Sequence, residues 1–383
     1  MQIQQAEHTV HSPVPRRLGK SGPGDIRRSN RALIFDLLLP DHQYSRADLG
    51  RLTGLSRVAV SDVVASMLDD GLLRECGREN SRGKGKRGTL LGIDPDRLDI
   101  ISIDASRPQL LEGAVTDLLG AQRYCEQLAI TAGTMLGMTT ISTLVERLLA
   151  HAEHPVGIGI AVPGVVDNNM IVRTSTALGW SNLDLRTPLE QRFRLPVIVD
   201  NDSTSAMLAE RFFGQGGPNL FFVRIRRGIG AAVLIDDVPV LGETSAGGEI
   251  GHISIDPNGP LCACGKRGCL ETLISATVLR QHMRGSRQAE REAILTQAGD
   301  YLATALAMPV GLLDVSDVCL HGPDDILTAG FMQAVQARLD ATTASSFRTR
   351  TVVRRCAFGE DVTMQGESVS VARYTAARVF SPM

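Results

Sequence analysis

One imidazole and three thiols crowd together between residues 252 and 269, and few chain traces can carry such a group. Gly251-His252 is followed by Cys262-Ala263-Cys264-Gly265-Lys266-Arg267-Gly268-Cys269. A histidine nitrogen and three thiolates are the donor set of a closed, tetrahedral structural zinc site. Gly265 and Gly268 let the loop curl between the sulfurs. With all four positions filled by protein, no place remains for an activated water. A Zn2+ ion bound to His252, Cys262, Cys264 and Cys269 is therefore expected to hold a loop in shape and to perform no chemistry. The alternative, three unliganded thiols on a surface loop, would leave them open to oxidation.

At 383 residues the chain has room for two or three domains. Hydrophobic residues at 43% and charged residues at 21% are ordinary for a globular protein, and 4% aromatics imply a core of Leu, Val, Ile and Ala. No run approaches the ~18 apolar residues of a membrane span; Val156–Val166 is too short and is broken by glycines and a proline. The first 30 residues lack the apolar core of a secretory signal, so the sequence reads as cytoplasmic, with reduced thiols.

The net charge of −2 conceals an asymmetry. Residues 1–95 hold 15 Lys and Arg against 11 Asp and Glu. The excess concentrates at Arg74, Arg78, Arg82, Lys84, Lys86 and Arg87, opposed by Glu75 and Glu79. A basic end on an acidic body points to a polyanion partner, with a solvated basic loop as the alternative. Local patterns sharpen this. Residues 1–25, with two Pro- and Gly-bearing stretches, read as an arm. Arg28–Leu39 carries Ala32, Leu33, Ile34, Leu37 and Leu38 on a helical stripe. Ser45-Arg46-Ala47-Asp48 is a capping box opening a second helix, with Leu49 and Leu52 facing inward. Thr53-Gly54-Leu55 turns the chain, and Ser56 caps a third helix with Val60, Val63, Val64, Met67 and Leu68 at helical spacing. Three short helices followed by a basic hairpin ending in Thr89–Ile93 describe a winged helix-turn-helix over residues 26–95. The third helix of such a fold enters the major groove by its N-terminal end, and the wing follows the backbone. The candidate DNA contacts are Ser56, Arg57 and Ser61 on the helix and Arg82, Lys84, Lys86 and Arg87 on the wing. A helical subdomain packed on the body is the competing reading.

From about residue 98 the pattern changes to short β-branched runs, Ile100–Ile103, Val156–Val162, Val197–Val199, Leu220–Val223 and Ala231–Ile235. Helical stretches such as Gly137–Ala150, Ser203–Phe213 and Gln297–Leu313 are interleaved with them. Residues 96–383 therefore read as an α/β body. No repeat of fixed period stands out. Asp200-Asn201-Asp202 sits at a strand-to-helix corner, while Glu249 and Glu271 flank the cysteine loop (residues 249–271). Carboxylates and an amide in one cleft suit a polyhydroxylated ligand, although any one of them also serves as a cap or a solvated side chain.

Taken together, these residues resemble the ROK family of sugar kinases and sugar-responsive repressors. The resemblance runs from about Arg27 to the C-terminus. Its most specific element is Cys262-x-Cys264-Gly265-x-x-Gly268-Cys269-x-Glu271, preceded by Glu249-x-Gly251-His252. Val162-Pro163-Gly164, Leu178-Gly179-Trp180 and Asn201-Asp202 support it. The N-terminal segment resembles the winged helix of the repressor branch. The resemblance implies a winged helix-turn-helix followed by a two-lobed, actin-like (ribonuclease H-like) sugar-kinase fold. It implies sugar contacts from Asn201, Asp202, Glu249, His252 and Glu271, with Gly164 lining the pocket. In the family's kinases the acid matching Asp202 is the general base. His252 would serve both zinc and ligand.

The family's nucleotide loops are altered here. The Asp-x-Gly-x-Thr turn reads Asp104-Ala105-Ser106-Arg107-Pro108. The Gly-Thr-Gly loop reads Arg226-Arg227-Gly228-Ile229-Gly230, and the adenosine turn reads His321-Gly322-Pro323. Asp202 would then be a vestigial base, and Arg226 or Arg227 could meet an anionic group. The expected protein is a sugar-responsive regulator, a repressor of carbohydrate uptake or catabolism genes without enzymatic activity. Its partners would be operator DNA, a sugar or sugar phosphate, and a second copy or more of itself as homodimer or homotetramer. The rivals are an ATP-dependent sugar kinase with an accessory DNA-binding domain and a zinc-bearing interaction scaffold.

Overall fold

The computed structural model describes residues 22–78, 88–131 and 135–378. The first segment begins with α1 (Pro23–Leu38), β1 (Tyr44–Ser45), α2 (Arg46–Thr53), α3 (Arg57–Asp69), β2 (Leu73–Arg78) and β3 (Thr89–Ile93). Helix α1 starts before its apolar stripe, so the end of the expected arm is its first turn. The capping box is present: Ser45 Oγ accepts from the Asp48 amide at 3.3 Å, and Asp48 accepts from the Ser45 amide at 3.1 Å. Gly54 then turns the chain at φ 71°, and Ser56 Oγ accepts from the Ala59 amide at 3.2 Å. Strands β2 and β3 form a hairpin, and β1 closes a three-stranded sheet in the order β1-β3-β2. This is the winged helix-turn-helix the sequence implied. The wing tip, with Arg82, Lys84, Lys86 and Arg87, lies outside the described residues.

The apolar face of α1 differs from the expected one. Ile34, Phe35 and Leu38 are buried, and so is Arg31, while Leu33 and Leu37 are only partly covered. On α2, Leu49 is buried but Leu52 is 40% exposed, contrary to its inward assignment. Its position ends the helix, where the turn carries it away from the core.

The body continues with β4 (Asp99–Asp104), β5 (Leu110–Thr116), β6 (Gln122–Ala129), α4 (Met138–Leu149), β7 (Pro155–Val162), β8 (Val165–Val166), β9 (Val172–Ser175), β10 (Trp180–Leu183), α5 (Arg186–Phe193), β11 (Val197–Asn201) and α6 (Asp202–Phe212). It ends with β12 (Leu220–Ile225), β13 (Ile229–Ile235), β14 (Val238–Pro239), α7 (Leu270–Ile274), α8 (Ala276–His282), α9 (Gln288–Leu313), β15 (Asp317–His321), α10 (Ala329–Thr343), β16 (Val352–Arg355) and α11 (Val362–Ala376).

Two compact units result. One comprises residues up to 161, 184–199 and from 367 on; the other comprises 162–183 and 200–366. The first unit holds the winged helix and a five-stranded sheet in the order β11-β7-β4-β5-β6. The second holds a five-stranded sheet in the order β14-β13-β12-β15-β16. Both sheets start with an antiparallel meander of three strands. In each, the fourth strand in chain order pairs parallel to the first, as β7 pairs with β4 and β15 with β12. The fifth strand then extends that edge. The body is thus a structural duplication, although no sequence repeat marks it.

In the first unit, Ile100, Ile101, Ile103, Ile158 and Ile160 of the sheet are fully buried, as are Leu144, Val145 and Leu148 of α4. In the second, Phe221, Val223, Ile225, Val318 and Leu320 point to one face and pack with Leu302, Leu306, Phe331 and Val335 of α9 and α10. The alternate residues Phe222, Arg224, Cys319 and His321 occupy the other face, as period-two geometry demands.

Arg31 organises the first unit where α1, α3 and the end of α11 meet. Its guanidinium is fully buried and donates to Ser66 Oγ at 2.7 Å, to Asp70 Oδ2 at 2.7 Å and to the Ala376 carbonyl at 2.8 Å. Beside it, Arg373 pairs with both oxygens of Asp36 at 2.9 Å. Burying a cation is unfavourable unless every donor finds an acceptor, and breaking such a pair leaves a charge uncompensated. Arg31→Ala is therefore expected to lower the unfolding free energy by about 3–5 kcal/mol, read as a shift of the denaturation midpoint. Arg28→Ala, on the exposed side of the same helix, should shift it little, and equal shifts for the two variants would contradict this account.

Candidate functional site

All of the predicted ligand contacts fall in the second unit. Gly164 follows β7 at φ 113°, and a Cβ there would stand 2.2 Å from the Thr174 carbonyl oxygen, so only glycine fits. Its carbonyl accepts from Asn201 Nδ2 at 2.8 Å. The other end of the same side chain caps α6: Asn201 Oδ1 accepts from the amides of Ser203 at 2.9 Å and Thr204 at 3.1 Å. Asn201 thus clamps the Gly164 loop to the start of the helix and places Asp202 in its first turn.

Asp202 is ion-paired to Arg224, whose guanidinium reaches its Oδ2. Arg224 projects from β12 and is 3% exposed. The guanidinium donates and the Asp202 carboxylate accepts, a charge-assisted hydrogen bond that fixes the position of the acid. Sequence reading missed Arg224 because the apolar run it followed ends at Val223, one residue before it, whereas β12 continues to Ile225.

Glu249 and His252 stand next to one another, Glu249 Oε2 lying 3.8 Å from His252 Nε2. Partial burial lifts the Glu249 carboxyl above its ordinary range; the nearby His252 works against this, and the charges of Asp202 and Glu271 add to it. Those interactions gather Asp202, Glu249, His252 and Glu271 in one neighbourhood, as expected. Glu271, in the first turn of α7, accepts from the Ile229 amide at 3.1 Å. It thereby ties α7 to the β12–β13 turn.

The opposite nitrogen of His252, Nδ1, lies 3.5 Å from Cys262 Sγ, and Cys264 Sγ lies 3.6 Å from Cys269 Sγ. The four ligand atoms of His252, Cys262, Cys264 and Cys269 all lie within 4.8 Å of one another. Gly268 permits this closure: at φ 60° its Cβ would fall 1.6 Å from the Asp256 carbonyl oxygen. Burial, and then the adjoining sulfurs of Cys264 and Cys262, push the Cys269 thiol up to about 12. Three crowded thiols resist joint ionisation without a cation. The group could hold a metal ion.

A second cluster, Glu210, Cys319 and Cys356, is of another kind. The Glu210 carboxylate accepts from Arg354, from the Ala357 amide at 2.8 Å, from the Gln215 amide at 3.2 Å and from Cys356 Sγ at 3.1 Å. Its acceptor capacity is spent on protein donors, and it reads as a structural acid.

The segments read from the sequence as altered nucleotide loops fold as follows. Arg226-Arg227-Gly228 is the turn of the β12–β13 hairpin; Arg226 pairs with Glu360, while Arg227 is exposed. His321 lies opposite Arg224 in the parallel ladder and is 4% exposed. It donates from Nε2 to the Gly359 carbonyl at 2.9 Å. Burial, followed by the charges of Arg224 and Arg226, lowers it to about 4.

The geometry defines a class: a duplicated α/β body of sugar-kinase type, preceded by a winged helix. The chain matches the ROK family over residues 100–373. It is 30% identical over 268 residues to a xylose repressor from Bacillus spizizenii, covering 68% of this chain and 69% of that protein. The chain belongs to the ROK family. Among solved structures it is similar to a ROK family transcriptional regulator, a homologue of the Escherichia coli MLC protein, with a TM-score of 0.78, 21% identity, and coverage of 92% of this chain and 98% of that one. It is also similar to a ROK family glucokinase from Streptomyces griseus, with a TM-score of 0.61, 21% identity, and coverage of 70% and 98%. These two likenesses establish the shared fold.

His321 yields a pH prediction. Its folded pKa of about 4 lies below the ordinary 6.5, so the unfolded chain binds the extra proton first as pH falls. The contribution is present above pH ~6.5 and is lost progressively down to pH ~4, to a total of about 3 kcal/mol. His321→Gln should flatten this part of the stability curve, measured as denaturation midpoints from pH 7.5 to 4.5. Parallel curves for the variant and the native protein would refute the assignment.

Proposed function

We propose that the protein is a sugar-responsive, DNA-binding transcriptional regulator, a repressor of carbohydrate uptake or catabolism genes. Residues 26–95 are its DNA-reading head, and residues 96–383 are a kinase-like body used as a sensor. The observation that carries this reading is the Asp202–Arg224 ion pair. Asp202 is the acid that matches the kinases' general base, and in that role it would have to take up a proton. A buried guanidinium on Oδ2 opposes that role while leaving Asp202 able to accept from a sugar hydroxyl. Arg226 and Arg227 in place of a Gly-Thr-Gly loop support the same conclusion, as does the similarity to a xylose repressor.

In this reading Asn201, Asp202, Glu249, His252 and Glu271 meet the hydroxyls of a sugar or sugar phosphate beside Gly164. Asn201 keeps a second amide hydrogen for the purpose. Ser56, Arg57 and Ser61 address operator DNA, with Arg82, Lys84, Lys86 and Arg87 on its backbone. A homodimer or homotetramer would match an inverted-repeat operator, and the site of action is the cytoplasm. No described helix is long and apolar enough to cross a membrane.

The metal is zinc in this proposal. Tetrahedral Zn–S bonds of about 2.3 Å and Zn–N bonds of about 2.0 Å give S···S edges near ~3.8 Å and S···N edges near ~3.5 Å. The separations of 3.6 Å between Cys264 and Cys269 and 3.5 Å between His252 and Cys262 fit that frame. Bound through Nδ1, His252 would present Nε2 toward Glu249, so the metal would orient a ligand-contacting ring.

The glucokinase likeness favours one rival, an active sugar kinase carrying an accessory head. A coupled ATP-consumption assay over hexoses and pentoses separates the two: turnover would overturn the sensor reading, and salt-dependent retention of the gene's own upstream DNA, relieved by one sugar, would support it. Arg57→Ala is expected to weaken that DNA binding roughly 10- to 100-fold and to leave sugar binding intact. Glu249→Ala should bind DNA normally and fail to respond to sugar. Purified protein should carry about one zinc per chain, and Cys264→Ser should lose the metal together with the sugar response. Metal-free protein that still responds would remove the zinc assignment.

A further inference from the structure

The first two turns of α3 place four side chains in solvent: Arg57, Val58, Ser61 and Asp62. Three are polar, and Val58 is not. It is 70% exposed, whereas Val60, Val63 and Val64 of the same helix are at 3% or less. Helical spacing explains the split. Residues 58, 61, 62 and 65 share one face, and 60, 63, 64 and 67 share the other.

An exposed valine near a helix start contributes little to folding, and alanine is a better helix former there. Electrostatics narrow the purpose of this face. Arg57 is the one cation of α3, and Asp62 and Asp69 both lie exposed along it. Val58 itself gains nothing from a phosphate, so what it offers a duplex has to be met at a base edge. Of the groups displayed in the major groove, an apolar side chain recognises one, the C5-methyl of thymine. Val58 is also held in place, because Ser56 caps the turn that carries it.

We propose that Val58 is a specificity-determining residue that packs its γ-methyls on the C5-methyl of one thymine in each operator half-site. This rests on residues 26–95 being the DNA-reading head, and it adds what that head reads.

The test starts from the full-length protein and a randomised duplex library. The enriched duplex is remade with deoxyuridine replacing thymidine one position at a time, which removes the methyl and keeps the pairing. One position per half-site should lose affinity by roughly fourfold, the worth of one buried methyl. Val58→Ala should bind the thymine and uracil duplexes alike, with an unchanged melting temperature, and Val58→Thr should keep the discrimination through its remaining γ-methyl. An enriched duplex indifferent to uracil everywhere, or a Val58→Ala protein that discriminates as the native one does, overturns the role of Val58 alone. Failure to enrich any duplex overturns the DNA-reading head and this inference with it.

Discussion

The candidate site depends on one side chain that satisfies three backbone groups. Asn201 accepts from two amides at the start of α6 and donates to the carbonyl of Gly164. The first turn of a helix leaves amides without intrahelical partners, and a tight loop leaves carbonyls in the same state. By meeting both needs, Asn201 fixes the distance between a strand-end loop and a helix start. Asp202 follows in the chain and so has its position set by backbone geometry before any ligand arrives. Removing the clamp would leave several buried polar groups unsatisfied at once.

The sheet behind α6 determines what Asp202 can do. One face of β12 and β15 is a conventional aliphatic layer against α9 and α10. The other carries Arg224 and His321; Arg224 pairs with Asp202 at the start of α6, and Arg354 of the neighbouring β16 pairs with Glu210 near the end of that helix. Low-dielectric surroundings strengthen each pair and make each unpaired group costly, so these residues hold one another in single arrangements. That rigidity suits recognition. Asp202 meets this rigid layer through Arg224, whose guanidinium holds its carboxylate in place.

Legibility in the sequence followed the locality of each interaction. The His252 and cysteine cluster was legible because all four donors lie in one loop, and Gly268 shows the reason for the spacing. Ser45 with Asp48, and Ser56 with Ala59, were legible because caps act across three residues. That Glu249 and Glu271 come close to one another was legible through their spacing from that loop. Arg31, Arg224 and His321 were not, since burial is decided by partners far along the chain, Ala376 for the first and Asp202 for the second. Helix α9 begins at Gln288, well before its apolar stretch, because a solvated first turn carries no periodic signal. The duplicated sheet order was hidden for a similar reason: strand order is a property of pairing, and the two meanders share no side-chain pattern.

Duplication also bears on how such a body tolerates change in its turns. In each sheet the antiparallel meander supplies stability through local pairing, and the appended parallel strands end in loops that carry the polar groups. Turns within a meander can change as well while its strands keep their pairing. Arg226-Arg227-Gly228 illustrates this: the turn bears two bulky cations, yet Ile225 and Ile229 on either side keep their register and stay buried. A turn can thus carry bulky charged side chains without loss of the fold. Glu271 accepts from the Ile229 amide across the same turn, which ties the start of α7 to the hairpin.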